Sequence, residues 1–156
     1  MSSLILDVEL GEIVNKIKSI AREFEILCKN SAPECHENNF RDKVEGVLQR
    51  EVWSKLGGQS PRFEPRFEYR VDVGVIARHY RIDAYYGLVF FEYKLPHKGL
   101  DKEGIRNMAV NKVRQIYIPG LLNDSRTQST IQEIKQAGFT PLITGVIFDG
   151  YRVVFV

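Results

Sequence analysis

The chain has 156 residues, 44% hydrophobic and 27% charged, with a formal net charge of +2. That length suits one domain with its own core, and the composition excludes a disordered or fibrous chain. No apolar run is long enough to cross a membrane, no stretch reads as a signal peptide, repeat or low-complexity tract, and the net charge alone demands no nucleic-acid partner. The distribution of charge says more. Residues 1–60 carry a net of −2 and residues 61–114 a net of +4, which places the basic excess where a phosphate-binding surface would need it.

From about Leu6 to Cys28, apolar residues recur at Ile13, Ile17, Ile20, Phe24 and Leu27. Steps of three and four predict an amphipathic helix packed on its own domain, with a dimer seam as the rival use. Cys28 and Cys35 match no redox, zinc or iron–sulfur spacing. They are expected as free thiols in a reducing, cytoplasmic setting. After a polar loop from Asn30 to Glu37, a second helix is predicted from Glu37 to Leu56, buried along Phe40, Val44, Val47, Leu48, Val52 and Leu56 and ended by Gly57-Gly58. Glu45 lies beside that stripe.

Residues 58–65 read as a loop. From Phe67 to Val75 the pattern alternates as in a half-buried strand, and a tight turn near Arg78-His79 returns the chain into a strand from Tyr80 to Tyr86. Gly87-Leu88 suits a type II′ turn, which sets Tyr86 opposite Val89, Ala84 opposite Phe91 and Ile82 opposite Tyr93. The other face then carries Asp83 across from Glu92, with Lys94 two residues on, and the three are expected to converge at the rim of the sheet, facing solvent. Carboxylates opposed across a ladder repel by roughly 0.2–1 kcal/mol, and a hard divalent cation between them removes the conflict. The plainer reading pairs Asp83 with Arg81 or Lys94 on a solvated face. Gly74 is expected beside Asp83. Asp72, the rival acid, is assigned to a cross-strand pair with an arginine.

Leu95-Pro96 ends the third strand. His97 and Lys98 follow Lys94 closely enough to meet a phosphate; His36, His79 and His97 share no metal-ligand spacing. Asp101 is the expected N-cap of a helix reaching Tyr117, with Ile105, Ala109, Val113 and Ile116 inward and Arg106, Lys112 and Arg114 elsewhere on it. Pro119-Gly120 is expected to break that helix. Another runs from Asp124 or Ser125 to Ala137, stopped by Gly138. Strands Leu142–Phe148 and Tyr151–Val156 flank Asp149-Gly150, a type I′ turn sequence.

Asp83, followed on the next strand by Glu92-Tyr93-Lys94, resembles the signature of the PD-(D/E)xK nuclease superfamily. The resemblance covers Glu37 to Val156, with Ile82 where a proline often precedes the aspartate and with Gln115 and Tyr117 where some members carry Q-x-x-x-Y. It implies an α/β fold with an αβββαβ restriction-endonuclease-like core at 37–156. A mixed central sheet would be flanked by helices, and residues 1–36 would add a helix and loop within one domain. It further implies a Mg²⁺-dependent DNA endonuclease, Mn²⁺ substituting, of the kind that forms the cleavage domain of a restriction-type enzyme. Asp83, Glu92 and the Tyr93 carbonyl would bind metal, with Glu45 completing the shell. Lys94 would position or help deprotonate the attacking water. Lys98, Arg106, Lys112 and Gln115 would contact DNA. The alternatives are a junction-resolving or repair nuclease, and a non-catalytic nucleic-acid-binding or assembly module. The last strand stays apolar to Val156, as expected of a piece of a longer polypeptide carrying or partnering a methyltransferase, helicase or recognition domain.

Overall fold

The computed structural model describes residues 2–57, 66–71 and 80–156. Two helices form one layer: α1 (Ser2–Lys29) and α2 (Glu37–Leu48). Ile17, Ala21 and Phe24 lie on one face of α1 and are buried against Phe40, Val44 and Val47 of α2. Phe24 meets Phe40 edge to face at 5.4 Å. Each large side chain so buried contributes about 1.5–3 kcal/mol, so packing on its own domain is what holds α1.

Ser31, at φ 51°, turns the chain, and the Ala32 amide donates back to the Leu27 carbonyl at 2.9 Å. Across this corner Cys28 and Cys35 form a disulfide, their Cα atoms 4.9 Å apart. The expectation of free thiols is thereby corrected: the spacing matches no motif, but a tight corner brings the two side chains together. An inference to a reducing compartment from free thiols falls with it. The second helix continues through a π-helical turn (Gln49–Trp53) into α3 (Ser54–Gly57).

Among the described residues, five strands form one mixed sheet in the order β1 (Arg66–Val71), β2 (Tyr80–Tyr86), β3 (Val89–Tyr93), β4 (Thr144–Phe148) and β5 (Val153–Phe155). Only β3 and β4 run parallel. Gly87, at φ 76°, closes the β2–β3 hairpin with Tyr86 opposite Val89 and Ala84 opposite Phe91, as expected, but the ladder ends there without the expected Ile82–Tyr93 pair, and Ile82 packs in the layer opposite to that of Ala84. Ala84, Phe91 and Tyr93 face α1 and α2; Tyr85, Phe90 and Ile147 face the opposite layer. The expected extension of β1 to Val75, with Asp72, Gly74 and the turn at Arg78-His79, lies outside the described residues.

The opposite layer is the crossover from β3 to β4: α4 (Glu103–Lys112), a π-helical turn (Val113–Tyr117), α5 (Ile118–Leu122) and α6 (Ser125–Gln136). Contrary to expectation, Pro119 does not break it. The Ile118 amide reaches back to the Val113 carbonyl, a five-residue step that widens the helix where the proline ring would otherwise crowd the chain. The N-cap of α4 is Lys102 rather than Asp101, whereas α6 begins where expected, capped by Asp124, which accepts from the Thr127 amide at 2.9 Å. Gly145 lets the crossover approach β4 closely, since a Cβ there would lie 2.6 Å from Val113 Cγ1. The β4–β5 connection is also corrected. Phe148 pairs with Val153, so the loop spans four residues, and Gly150 alone in it has positive φ. Buried Asp149 accepts from the amides of Tyr151 and Arg152, which fixes the longer loop. The register shifts by two residues, which leaves each side chain on its expected face. Among the described residues, no helix is long and apolar enough to cross a membrane.

Candidate active site

Asp83 is skipped by the ladders on both sides. Pairing with β1 passes from Phe67–Ala84 to Tyr69–Ile82, and pairing with β3 stops at Ala84–Phe91. The residue passed over on β1 is Glu68, at φ 52°, a left-handed conformation that costs a non-glycine residue about 1–3 kcal/mol. Asp83 Oδ2 accepts the Tyr93 amide at 2.7 Å, so its side chain does on β3 what a ladder carbonyl would have done.

Glu92 was expected at a solvent-facing rim, but it is 1% exposed. Its Oε1 accepts from Lys94 Nζ and from Lys112 Nζ, each at 2.8 Å. The Tyr117 hydroxyl lies 3.0 Å from its Oε2 and 2.6 Å from the Arg81 carbonyl, its proton shared between them. Lys94 Nζ also donates to the Tyr93 carbonyl at 2.9 Å and to Glu37 Oε1 at 3.3 Å. Lys112 Nζ sits 4.8 Å over the Tyr117 ring. The crossover covers Glu92, and two ammonium groups offset the repulsion that the hairpin builds in.

The electrostatics divide the two acids. Burial, then the charge of Glu92, pushes Asp83 up to about 7 against the Tyr93 amide and Lys94. Burial also works against ionised Glu92, yet Lys94 and Lys112 outweigh it and hold its carboxyl below the usual range. Between the two, the proton rests on Asp83. Burial opposes the Lys94 ammonium as well, but Glu92 and Glu37 raise its pKa. Burial and then Glu92 raise the Tyr117 phenol.

Glu45 is not brought to this cluster. Successive residues of β3 project to opposite faces, so Glu92 meets α4 while the Tyr93 ring meets α2. Glu45 lies on the ring side, where it accepts from the Tyr93 hydroxyl at 2.6 Å and from Tyr86. Burial raises its pKa despite those bonds. The acid that α2 does supply is Glu37, which the sequence reading overlooked. Its position three, four and seven residues before Phe40, Arg41 and Val44 puts it on the buried stripe, and that spacing was the available signal.

A cleft of about 580 Å³ opens beside Glu92 and Lys94. Glu37, His97, Lys98, Lys102 and Lys112 line it, over apolar Ile105, Met108 and Ala109. Of the residues expected to contact DNA, Lys98 and Lys112 are on its wall; Arg106 and Gln115 are not, and Asp83 is set back from it as well. Lys112 is already engaged by Glu92. Compared with protein-family models, with curated proteins and with solved structures, the chain matches none of them.

Proposed function

We propose that the chain is a divalent-metal-dependent DNA endonuclease on a PD-(D/E)xK core, the cleavage domain of a restriction-type enzyme. One observation carries the reading. The Lys94 ammonium sits among Glu92, the Tyr93 carbonyl and Glu37, so this group of oxygens already favours a cation. The helix, the β1–β3 meander and the parallel β3–β4 crossover also follow the order of that core. The basic cleft supplies a surface for phosphates.

The donors are all oxygen, which suits Mg²⁺ or Mn²⁺. Glu92, the Tyr93 carbonyl, Asp83 and Glu37 would hold the ion, in place of the expected Glu45. Bound there, it would supply Lewis-acid stabilisation and a more acidic water. Asp83 must lose its proton to serve as a ligand. Lys94, with its raised pKa, stays charged and positions a water or phosphate oxygen rather than removing a proton. Lys98 and Lys102 hold the DNA backbone. In this reading the enzyme works in the cytoplasm alongside a methyltransferase, helicase or recognition region, which would supply sequence preference.

The test is incubation of the chain with supercoiled plasmid, with and without Mg²⁺ or Mn²⁺. Metal-dependent nicking that Asp83→Asn and Lys94→Ala reduce by about a hundredfold or more is expected. Nicking that ignores both substitutions, or none at any metal concentration, would sink the reading. A second reading rests on the full pairing of Glu92 with two lysines and a tyrosine. Such a carboxylate also suits a non-catalytic nucleic-acid-binding module, which would retard DNA without cutting it.

A further inference from the structure

Cys28 lies in the last turn of α1, Cys35 precedes α2, and His97 belongs to the 3₁₀ turn (Pro96–Lys98) that closely follows Lys94. Their Sγ and imidazole nitrogen atoms lie within 4.8 Å of one another. Sixty-one residues separate His97 from the nearer cysteine, so no local spacing announces the group. The cysteines are half-buried and His97 is exposed. Two thiolates and an imidazole form a soft donor set that selects a thiophilic ion over Mg²⁺.

We propose that Cys28, Cys35 and His97 form a redox-gated zinc site at the rim of the cleft. As a disulfide, the two sulfurs cannot act as thiolate ligands. A dithiol reductant opens the bond by thiol–disulfide exchange. It delivers two electrons and two protons, leaves as its own cyclic disulfide, and yields the Cys28 and Cys35 thiols. Tetrahedral Zn²⁺ needs its ligand atoms about 3.6–3.8 Å apart, given bonds of about 2.3 Å to sulfur and 2.0–2.1 Å to nitrogen. A rotamer change at either cysteine separates the sulfurs to that extent without moving the backbone. On binding, the thiols release two protons, neutral His97 gives the third bond, and water takes the fourth position.

The site joins two parts of the molecule that the disulfide leaves separate. The disulfide closes only the α1–α2 corner. Zinc would also fasten the turn that carries His97 and Lys98 along one wall of the cleft. Zinc supply and thiol redox state would then both set the order of that wall.

The test uses the full chain, reduced, stripped of metal and titrated with Co²⁺ under inert gas. Expected is one equivalent of thiolate-ligated cobalt, with thiolate-to-cobalt charge-transfer absorption and the d–d bands of a tetrahedral ion, both bleached when Zn²⁺ is added. The oxidised chain should show neither. His97→Ala, at an exposed position, should weaken binding by about tenfold or more and alter the d–d bands while keeping the charge-transfer band. Cys28→Ser and Cys35→Ser combined should abolish that absorption; if the double variant fails to fold, the comparison of reduced with oxidised chain and the His97→Ala variant decide the matter. Asp83→Asn should leave the cobalt spectrum intact, which separates this site from the proposed nuclease centre. A reduced chain without thiolate–cobalt absorption, or a His97→Ala variant that binds as tightly as the unmodified chain, would overturn the proposal.

Discussion

The Tyr93 amide donates to the Asp83 carboxylate at 2.7 Å, in the place where a ladder carbonyl of β2 would ordinarily accept. One side chain thus completes the sheet and stands next to Glu92, and its protonation state links stability to metal binding.

Asp83 has a pKa raised to about 7 in the folded chain, against about 3.9 when unfolded. The folded state therefore holds a proton that the unfolded state has lost between those values. This contribution is complete below about pH 4 and is lost as pH rises through 7. Asp83→Asn keeps an acceptor for Tyr93 and escapes the loss. It should gain on the unmodified chain between pH 4 and 7 and hold an advantage of about 1–3 kcal/mol above that. Urea denaturation at several pH values measures this; a pH-independent difference would refute it.

Glu92 has the opposite sign. Its pKa is lowered in the folded chain, so its contribution is present above the unfolded value of about 4.3 and disappears as pH falls through the folded one. Glu92→Gln should destabilise at pH 7 by about 1–3 kcal/mol, because Lys94 and Lys112 lose their shared partner. The gap should close as pH falls through that lowered folded value. A variant more stable than the parent at neutral pH would show that repulsion from Asp83 outweighs these pairs.

Metal should stabilise the folded chain by mass action. At ten times the dissociation constant the gain is about 1.4 kcal/mol, or roughly 3–5 °C in Tm. Glu92→Gln and Glu37→Gln should diminish the response to Mg²⁺ or Mn²⁺, and it should strengthen as pH rises through 7 and Asp83 ionises. Glu45→Gln should leave it unchanged, since Glu45 serves the hydroxyls on the other face of the sheet. Thermal melts with and without metal distinguish the two acids of α2. An equal loss for Glu45→Gln would restore the original assignment.

Gly145→Ala tests the approach of crossover to sheet. Its Cβ would fall 2.6 Å from Val113 Cγ1 and 2.9 Å from Phe90 Cζ, both in the packed core. A loss of about 1–3 kcal/mol is expected, read by chemical denaturation. A neutral effect would mean that Val113 has room to retreat.

The β2–β3 hairpin was legible because its information is local: Gly87 sets the turn, and period two sets the faces. The same rules put Asp83 in a ladder it does not join, because the departure depends on the backbone of Glu68 on one neighbouring strand and on the Tyr93 amide of the other. Glu92 was recognised as a candidate yet misjudged as exposed, since its cover comes from Lys112 and Tyr117, twenty and more residues downstream. Glu45 and Glu37 illustrate a finer failure. Both lie on the inward side of α2, and only the direction in which Tyr93 projects tells which one meets the cluster. Pro119 was read as a stop because a proline rule assumes a regular helix, and here the helix had already widened.

That widening settles which residues can share Glu92. In a regular α-helix, Lys112 and Tyr117, five positions apart, would point about 140° away from each other. The five-residue step from Val113 to Ile118 makes their separation close to one full turn, so lysine and tyrosine reach the two oxygens of a single carboxylate. The extra residue acts as a spacer. Deleting exposed Gln115 would leave the pair four apart in an ordinary helix, still aligned, whereas inserting an alanine beside it would swing Tyr117 away and leave Glu92 Oε2 without its hydroxyl. The cluster should thus tolerate loss of a residue at this point and fail on gain of one, an asymmetry that no list of side-chain contacts would reveal.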